Sequence, residues 1–165
     1  MRHTISVLVD NQAGVLSRVV GLFSGRGFNI ESLSVAPTLD PTKSKMVITT
    51  TGNEQVLEQI KKQLNKLINV IKVIDCADRD YVEREMIVVK VKAEKETRAE
   101  VLRMADIFRA KVIDVSPASY TLSLTGDKRK LEGFVELLAP IGIIDFIRTG
   151  TVVMEREMQG RRKLS

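Results

Sequence analysis

Residues Leu8 to Leu33 read LVDNQAGVLSRVVGLFSGRGFNIESL. The stretch leaves a strand-like segment, crosses a polar turn holding Asn11 and Gly14, and enters a helical repeat. It then returns through Gly25 and Gly27 to a second strand-like segment. Val15, Leu16, Val19, Val20, Leu22 and Phe23 recur at helical spacing, which predicts a helix starting at Gly14–Val15. Upstream, Ile5, Val7 and Val9 alternate with Thr4, Ser6 and Leu8, the pattern of a strand with both faces partly buried.

Working outward, Pro37, Asp40 and Pro41 mark a loop, and KMVITTTG reads as a β-branched third strand that stops at Gly52–Asn53. Val56, Leu57, Ile60, Leu64 and Leu67 mark a second helix, and NVIKVID a fourth strand ending beside Cys76. The order is βαββαβ. The second half repeats it: EMIVVKVKA, RAEVLRMADIF, KVIDVSP, SYTLSLTG, RKLEGFVELL and IIDFIRT alternate in the same way. The helix in RAEVLRMADIF is expected to turn Val101, Leu102, Ala105, Ile107 and Phe108 inward. The polar run DCADRDYVERE supplies a linker near residues 77–83, dividing the chain into domains 1–77 and 78–165. The fold class is therefore α+β, with two ferredoxin-like βαββαβ domains. Each has both helices on one face of an antiparallel sheet. A half this small has a marginal core, so its bare face and its edge strand 29–36 point to assembly.

Composition narrows the function. With 44% apolar and 28% charged residues the chain reads as an ordinary globular protein, without the run of about 18 apolar residues that a membrane span needs. The start, MRHTISVLVD, goes straight into strand pattern and lacks signal-peptide features, and one cysteine excludes an internal disulfide. A cytoplasmic location is the expectation. The net charge of +5 is spread along the chain, clustering only in the tail GRRKLS, and so reads as a mixed solvated surface and not as a nucleic-acid patch.

Three functions suit such a plan. RNA binding needs aromatics on the central strands, and aromatics make up 4% of the chain, with Tyr120 alone on a suitable strand. Catalysis needs a constellation the sequence does not offer. His3 stands without a metal-ligand or triad partner and is expected at the surface. Cys76 is expected as a small buried residue of the fourth strand. Glu83 and Glu85, on the linker, are expected to be solvated. Small-molecule sensing fits the opening stretch best. The helix start leaves N–H groups unpaired at the positive dipole end, which suits a carboxylate. Gly14 admits close approach of a ligand. Asn11 can donate and accept toward an amino-acid zwitterion. Val15, Leu16 and Ile30 can wall an aliphatic side chain. The same DNQAG also reads as an Asx turn and a helix start and nothing more.

The stretch VLVDNQAGVLSRVVGLFSGRGFNIESLSVAPT, with EQIKKQLNKLINVIKV, VERE, IFRAKVIDVSP and RTG, resembles the small regulatory subunits of acetolactate synthase (acetohydroxyacid synthase) over nearly the whole chain. The resemblance implies that the first domain is an ACT domain and that two copies pair edge to edge through strand two. It implies a branched-chain amino acid, usually valine with leucine and isoleucine as relatives, bound where the first turn meets the partner's strand two. The implied effector-binding residues are Asn11, Gln12, Ala13, Gly14, Val15 and Leu16, with Asn29 and Ile30 from the second copy. Ser17 and Gln59 lie in stretches that resemble the same region. It further implies a non-catalytic chain that activates a large catalytic subunit and confers feedback inhibition, with thiamine diphosphate, FAD and magnesium in that partner and none here. The resemblance departs at Gln12–Ala13, where relatives often carry Glu-Pro or Glu-Ala, and in the closing TVVMEREMQGRR. The alternative is a free-standing ACT-type amino-acid sensor acting on another partner.

Overall fold

The computed structural model describes residues 1–157, so the basic tail GRRKLS lies outside the described residues. The chain forms two compact units: Met1–Val82 with Thr151 and the described residues after it, and Glu83–Gly150. Among the described residues no helix is long and apolar enough to cross a membrane.

The first unit runs β1 (Arg2–Asp10), α1 (Val15–Ser24), β2 (Ile30–Pro37), β3 (Lys43–Thr51), α2 (Glu54–Leu64) and β4 (Val70–Asp75). Its antiparallel sheet has the order β2-β3-β1-β4. The register sets Ile5 against Ile48 and Val7 against Met46. These four pack with Val15, Val19 and Phe23 of α1 and Leu57, Ile60 and Leu64 of α2 in one buried core. A period of two in the strands and 3.6 in the helices thus turns the same residues inward. This packing also demands glycine at position 52, where a Cβ would sit 2.6 Å from the Phe28 ring. Asn53 then starts α2, its side chain accepting from the Gln55 N–H at 2.7 Å.

The sheet's other face is buried at Thr4, Ser6, Val47 and Thr49. A 3-10 turn at Cys76–Asp78 and a short strand β9 (Val152–Glu155) belong to the same unit. Tyr81, Val153 and Met154 line a cavity of about 220 Å³ together with Ser6, Lys45 and Ile74 of the sheet. Arg2 donates to Thr151 Oγ1 at 3.3 Å, and Arg79 pairs with Glu155 at 2.6 Å. The twofold βαββαβ reading does not anticipate β9.

The second unit runs through β5 (Tyr81–Lys92), α3 (Arg98–Phe108), β6 (Lys111–Val115), β7 (Ser119–Gly126), α4 (Lys128–Leu138) and β8 (Ile143–Arg148). The strand order is β6-β7-β5-β8. Ile87, Val89 and Val91 join Leu122, Leu124, Val101, Ala105, Leu131, Phe134 and Leu138 in its core. Phe108 and Phe134 meet with ring centroids 5.1 Å apart. The α+β class with two βαββαβ units is the one the sequence predicts.

Four local expectations are corrected. His3 is buried, its Nε2 lying 3.2 Å from the Gly52 carbonyl oxygen. Glu83 and Glu85 belong to β5, not to a linker, and Glu85 is buried against Arg148 in a fork of 2.7 and 3.0 Å. This carboxylate raises the Arg148 pKa above its ordinary value against the opposing effect of burial. Cys76 is buried as expected but sits in the 3-10 turn after β4. In α3, Leu102 and Ile107 face solvent, while Met104 and Phe108 pack on the core beside Val101 and Ala105.

Candidate functional site

The β1–α1 turn is held from below by backbone bonds. The Asp10 N–H donates to the Asn69 carbonyl at 2.9 Å and the Asn11 N–H to the Thr42 carbonyl at 2.8 Å. Asn11 Nδ2 donates to the Pro41 carbonyl at 3.0 Å. One of the two Nδ2 hydrogens is thus held by the loop before β3, and Oδ1 remains an acceptor. The Gln12 N–H returns to the Asp10 carbonyl at 3.0 Å, and the Arg18 N–H reaches Gly14 at 3.1 Å.

Gly14 is the N-cap of α1, at φ 84°, and gives the helix no side-chain cap. Its need for glycine is conformational. A Cβ there would meet nothing within 4 Å, so it would project into open space in front of the helix. Among the described residues the N–H groups of Ala13, Gly14, Leu16 and Ser17 have no hydrogen-bond partner in the chain. Four donors at the positive end of a helix dipole, unblocked by any side chain, are the local chemistry of an anion site.

Asn11, Gln12, Ala13 and Gly14 are all exposed. Val15 is 3% exposed and gives its side chain to the core, so the apolar surface of this turn comes from Leu16, 39% exposed. Beside the turn a cavity of about 260 Å³ is lined by Val15, Arg18, Lys66, Leu67, Ile68, Asn69 and Val70. Arg18 and Lys66 both line this cavity, which adds positive potential near the free N–H groups.

Asn29 and Ile30 do not join this turn within one chain. Ile30 registers with Thr50, and Thr50 with His3, whereas the turn leaves β1 at Asp10. Seven residues of strand, about 24 Å, separate the two ends of the sheet. Asn29 is exposed, with its carbonyl accepting from Thr50 Oγ1 at 2.5 Å, and Ile30 packs partly on its own core. Ser17 and Gln59 are exposed on α1 and α2. The signal the sequence reading passed over is the Arg18–Lys66 pair, which only the α2–β4 loop brings to the turn.

Among the described residues no group of three or more His, Cys, Asp or Glu is placed to hold a metal ion. The fold and its open glycine turn define a regulatory domain of the ACT class, and residues 5–72 match the AHAS small subunit-like ACT domain. Residues 84–157 match the small subunit of acetolactate synthase. The chain is 48% identical to the acetolactate synthase small subunit of Haemophilus influenzae over 157 residues, covering 94% of this chain and 96% of the relative. It is 50% identical to the isozyme 3 small subunit of Salmonella typhimurium, with the same coverage. The crystal structure of the Thermotoga maritima small subunit superimposes with a TM-score of 0.85 at 39% identity, over 94% of this chain and 98% of that one. The chain belongs to the acetolactate synthase small-subunit family, as a regulatory subunit that does no catalysis itself.

Proposed function

We propose that this chain activates a catalytic acetolactate synthase subunit and makes it sensitive to a branched-chain amino acid, most simply valine. The effector's carboxylate takes the free N–H groups of Ala13, Gly14, Leu16 and Ser17. Its ammonium takes Asn11 Oδ1, and its side chain lies along Leu16. Gln12 and Val15 complete the turn through their backbone. The observation that carries this reading is the separation of the turn from Asn29–Ile30 in one chain. When a second copy adds its β2 antiparallel to β2, that copy's Asn29–Ile30 end comes to the end of the sheet where the turn lies. A homodimer paired this way completes the site across its seam, with 1–77 as effector domain and 78–165 serving the large subunit. Thiamine diphosphate, FAD and magnesium belong to that partner, and the pair works in the cytoplasm. Leucine and isoleucine differ from valine by one methylene, worth about 1–3 kcal/mol in an apolar pocket, so they are competing effectors of the same turn.

Reconstitution tests the reading. The chain alone, given pyruvate and those cofactors, should form no acetolactate. Added to a cognate catalytic subunit it should raise the rate, and valine should then lower it. A reconstituted pair with neither effect would return the chain to the role of a free amino-acid sensor.

A further inference from the structure

The β1–α1 turn and the loop 38–42 between β2 and β3 meet at Asn11. Its N–H donates to the Thr42 carbonyl at 2.8 Å, one step beyond the last β1–β3 pair, Asp10 with Lys43. Its Nδ2 donates to the preceding carbonyl, that of Pro41, at 3.0 Å. This second bond decides what Asn11 offers a ligand. With Nδ2 held by the loop, Oδ1 is the end of the amide left to accept. Released, the planar amide turns over about its last torsion and presents N–H groups instead. A ligand ammonium then meets donors where it needs an acceptor.

The loop is neither helix nor strand, and its shape comes from Asp40. Asp40 Oδ1 accepts the Thr42 N–H at 3.0 Å and the Thr42 hydroxyl at 2.7 Å, an Asx turn across Pro41. Lys43 Nζ lies 3.6 Å from the other carboxylate oxygen, Oδ2. The Asp40 carbonyl accepts the Thr38 hydroxyl at 2.9 Å and the Lys43 N–H at 3.0 Å. The Thr42 N–H and the Pro41 carbonyl belong to one peptide group, planar and trans, so they point to opposite sides of the chain. Asp40 grips one edge of that plane, and the other edge holds Asn11. Pro41 fixes its own φ, which leaves rotation of this plane as the freedom that Asp40 removes. The Thr42 hydroxyl and then the Thr42 N–H hold the Asp40 carboxyl below its ordinary value, so it remains a charged acceptor near neutrality.

We propose that Asp40 is a positioning residue of the effector site: through the Pro41–Thr42 peptide it fixes the Asn11 amide so that Oδ1, and not Nδ2, meets the effector's ammonium. The role rests on the reading of the turn as an effector site. Asp40 acts on the effector only through Asn11, from a loop that lies off the turn.

Titration calorimetry of the full chain with valine, run as a double-mutant cycle, tests it. Asp40→Ala should weaken binding by about tenfold. Asp40→Asn keeps an oxygen for Thr42 and should recover most of that loss. In an Asn11→Ala chain, itself a weaker binder, adding Asp40→Ala should change the affinity by less than about twofold, because the two act as one unit. Undiminished binding by Asp40→Ala, no recovery in Asp40→Asn, or a full further loss on top of Asn11→Ala would each overturn the positioning role and leave the effector site standing. A parent chain that takes up no valine would overturn both.

Discussion

β2 and β6 hold the same place in two copies of one plan, each the second strand and each the end of its sheet. Their surfaces differ. β2 leaves one large aliphatic residue exposed, Val35, among Glu31, Ser32, Ser34 and a closing Pro37, while Ile30 and Leu33 pack on the core. Glu31 is tied back to Arg2 at 3.8 Å. β6 exposes three aliphatic residues in five. At about 25 cal/mol per Å² of apolar surface, a seam along β2 gains little from burial and one along β6 gains more. A weak seam is one that a bridging ligand can tip, because a differential of about 1–3 kcal/mol suffices for regulation. The difference suits β2 to a switch, and the first two predictions below act on it.

The largest effect is expected at Gly14. Gly14→Asp forces a side chain onto a left-handed backbone and places its carboxylate in the open space before the helix. Repulsion of a ligand carboxylate at about 4 Å is on the order of 4 kcal/mol at an effective dielectric of 20, which corresponds to roughly a thousandfold in affinity. Titration calorimetry with valine should show binding lost. Unchanged affinity would remove the turn from the site.

A smaller break is expected from Asn29→Ala. The proposed site takes Asn29 from the second copy, and loss of a bond to a charged group costs about 1.5–3 kcal/mol. The inhibition curve of the reconstituted enzyme should move rightward by at least about tenfold, with activation unchanged. Loss of activation together with inhibition would place Asn29 in the contact with the catalytic subunit.

Most of this architecture was legible because both units keep strict periods. Ile5, Val7 and Val9, and Ile87, Val89 and Val91, were readable as inward sets from alternation alone. The same alternation, carried two residues back, passes through His3 and through Glu85. Both were read by residue type as surface groups, and both are buried on a central strand with a polar partner. Period outranked polarity there, since a buried polar group is acceptable once it is bonded. Leu102 and Ile107 went wrong the opposite way, through hydrophobicity without phase. Val101, Met104, Ala105 and Phe108 fit one helical face, and the other two fall off it. β9 has four residues, too few for any period to show. The turn was legible as a helix start with glycine, but the hold of Pro41 on Asn11 Nδ2 depends on a contact thirty positions away that no local pattern encodes.

The smallest effect is expected at β4, which ends the first sheet on the side opposite β2 and shows how an edge is pinned from within the chain. Lys61 of α2 reaches Asp75 at 2.9 Å and also pairs with Glu58. Burial pushes the Asp75 carboxyl up, but the Lys61 bond, the Ala77 N–H and the Lys61 charge outweigh it, and the net shift is downward. Burial likewise pushes Lys61 down, and its bonds to Glu58 and Asp75 outweigh it, so the net shift is upward. Asp75's contribution to stability is then fully present above its ordinary value of 3.8 and is lost as pH falls through the lower folded value. That of Lys61 is fully present below 10.5 and is lost as pH rises through the higher folded value. Asp75→Asn keeps an acceptor for the Ala77 N–H, 3.0 Å away in the parent, and removes the charge. Urea unfolding of the full chain should show it less stable by on the order of 1 kcal/mol near neutrality. The gap should close as the parent is taken well below pH 3.8, where its own carboxylate is protonated. A gap that stays constant down the acid limb would mean that the tie acts through packing rather than charge. β4 would then be held as the core strands are, with no charge lock to set it apart from β2 and β6.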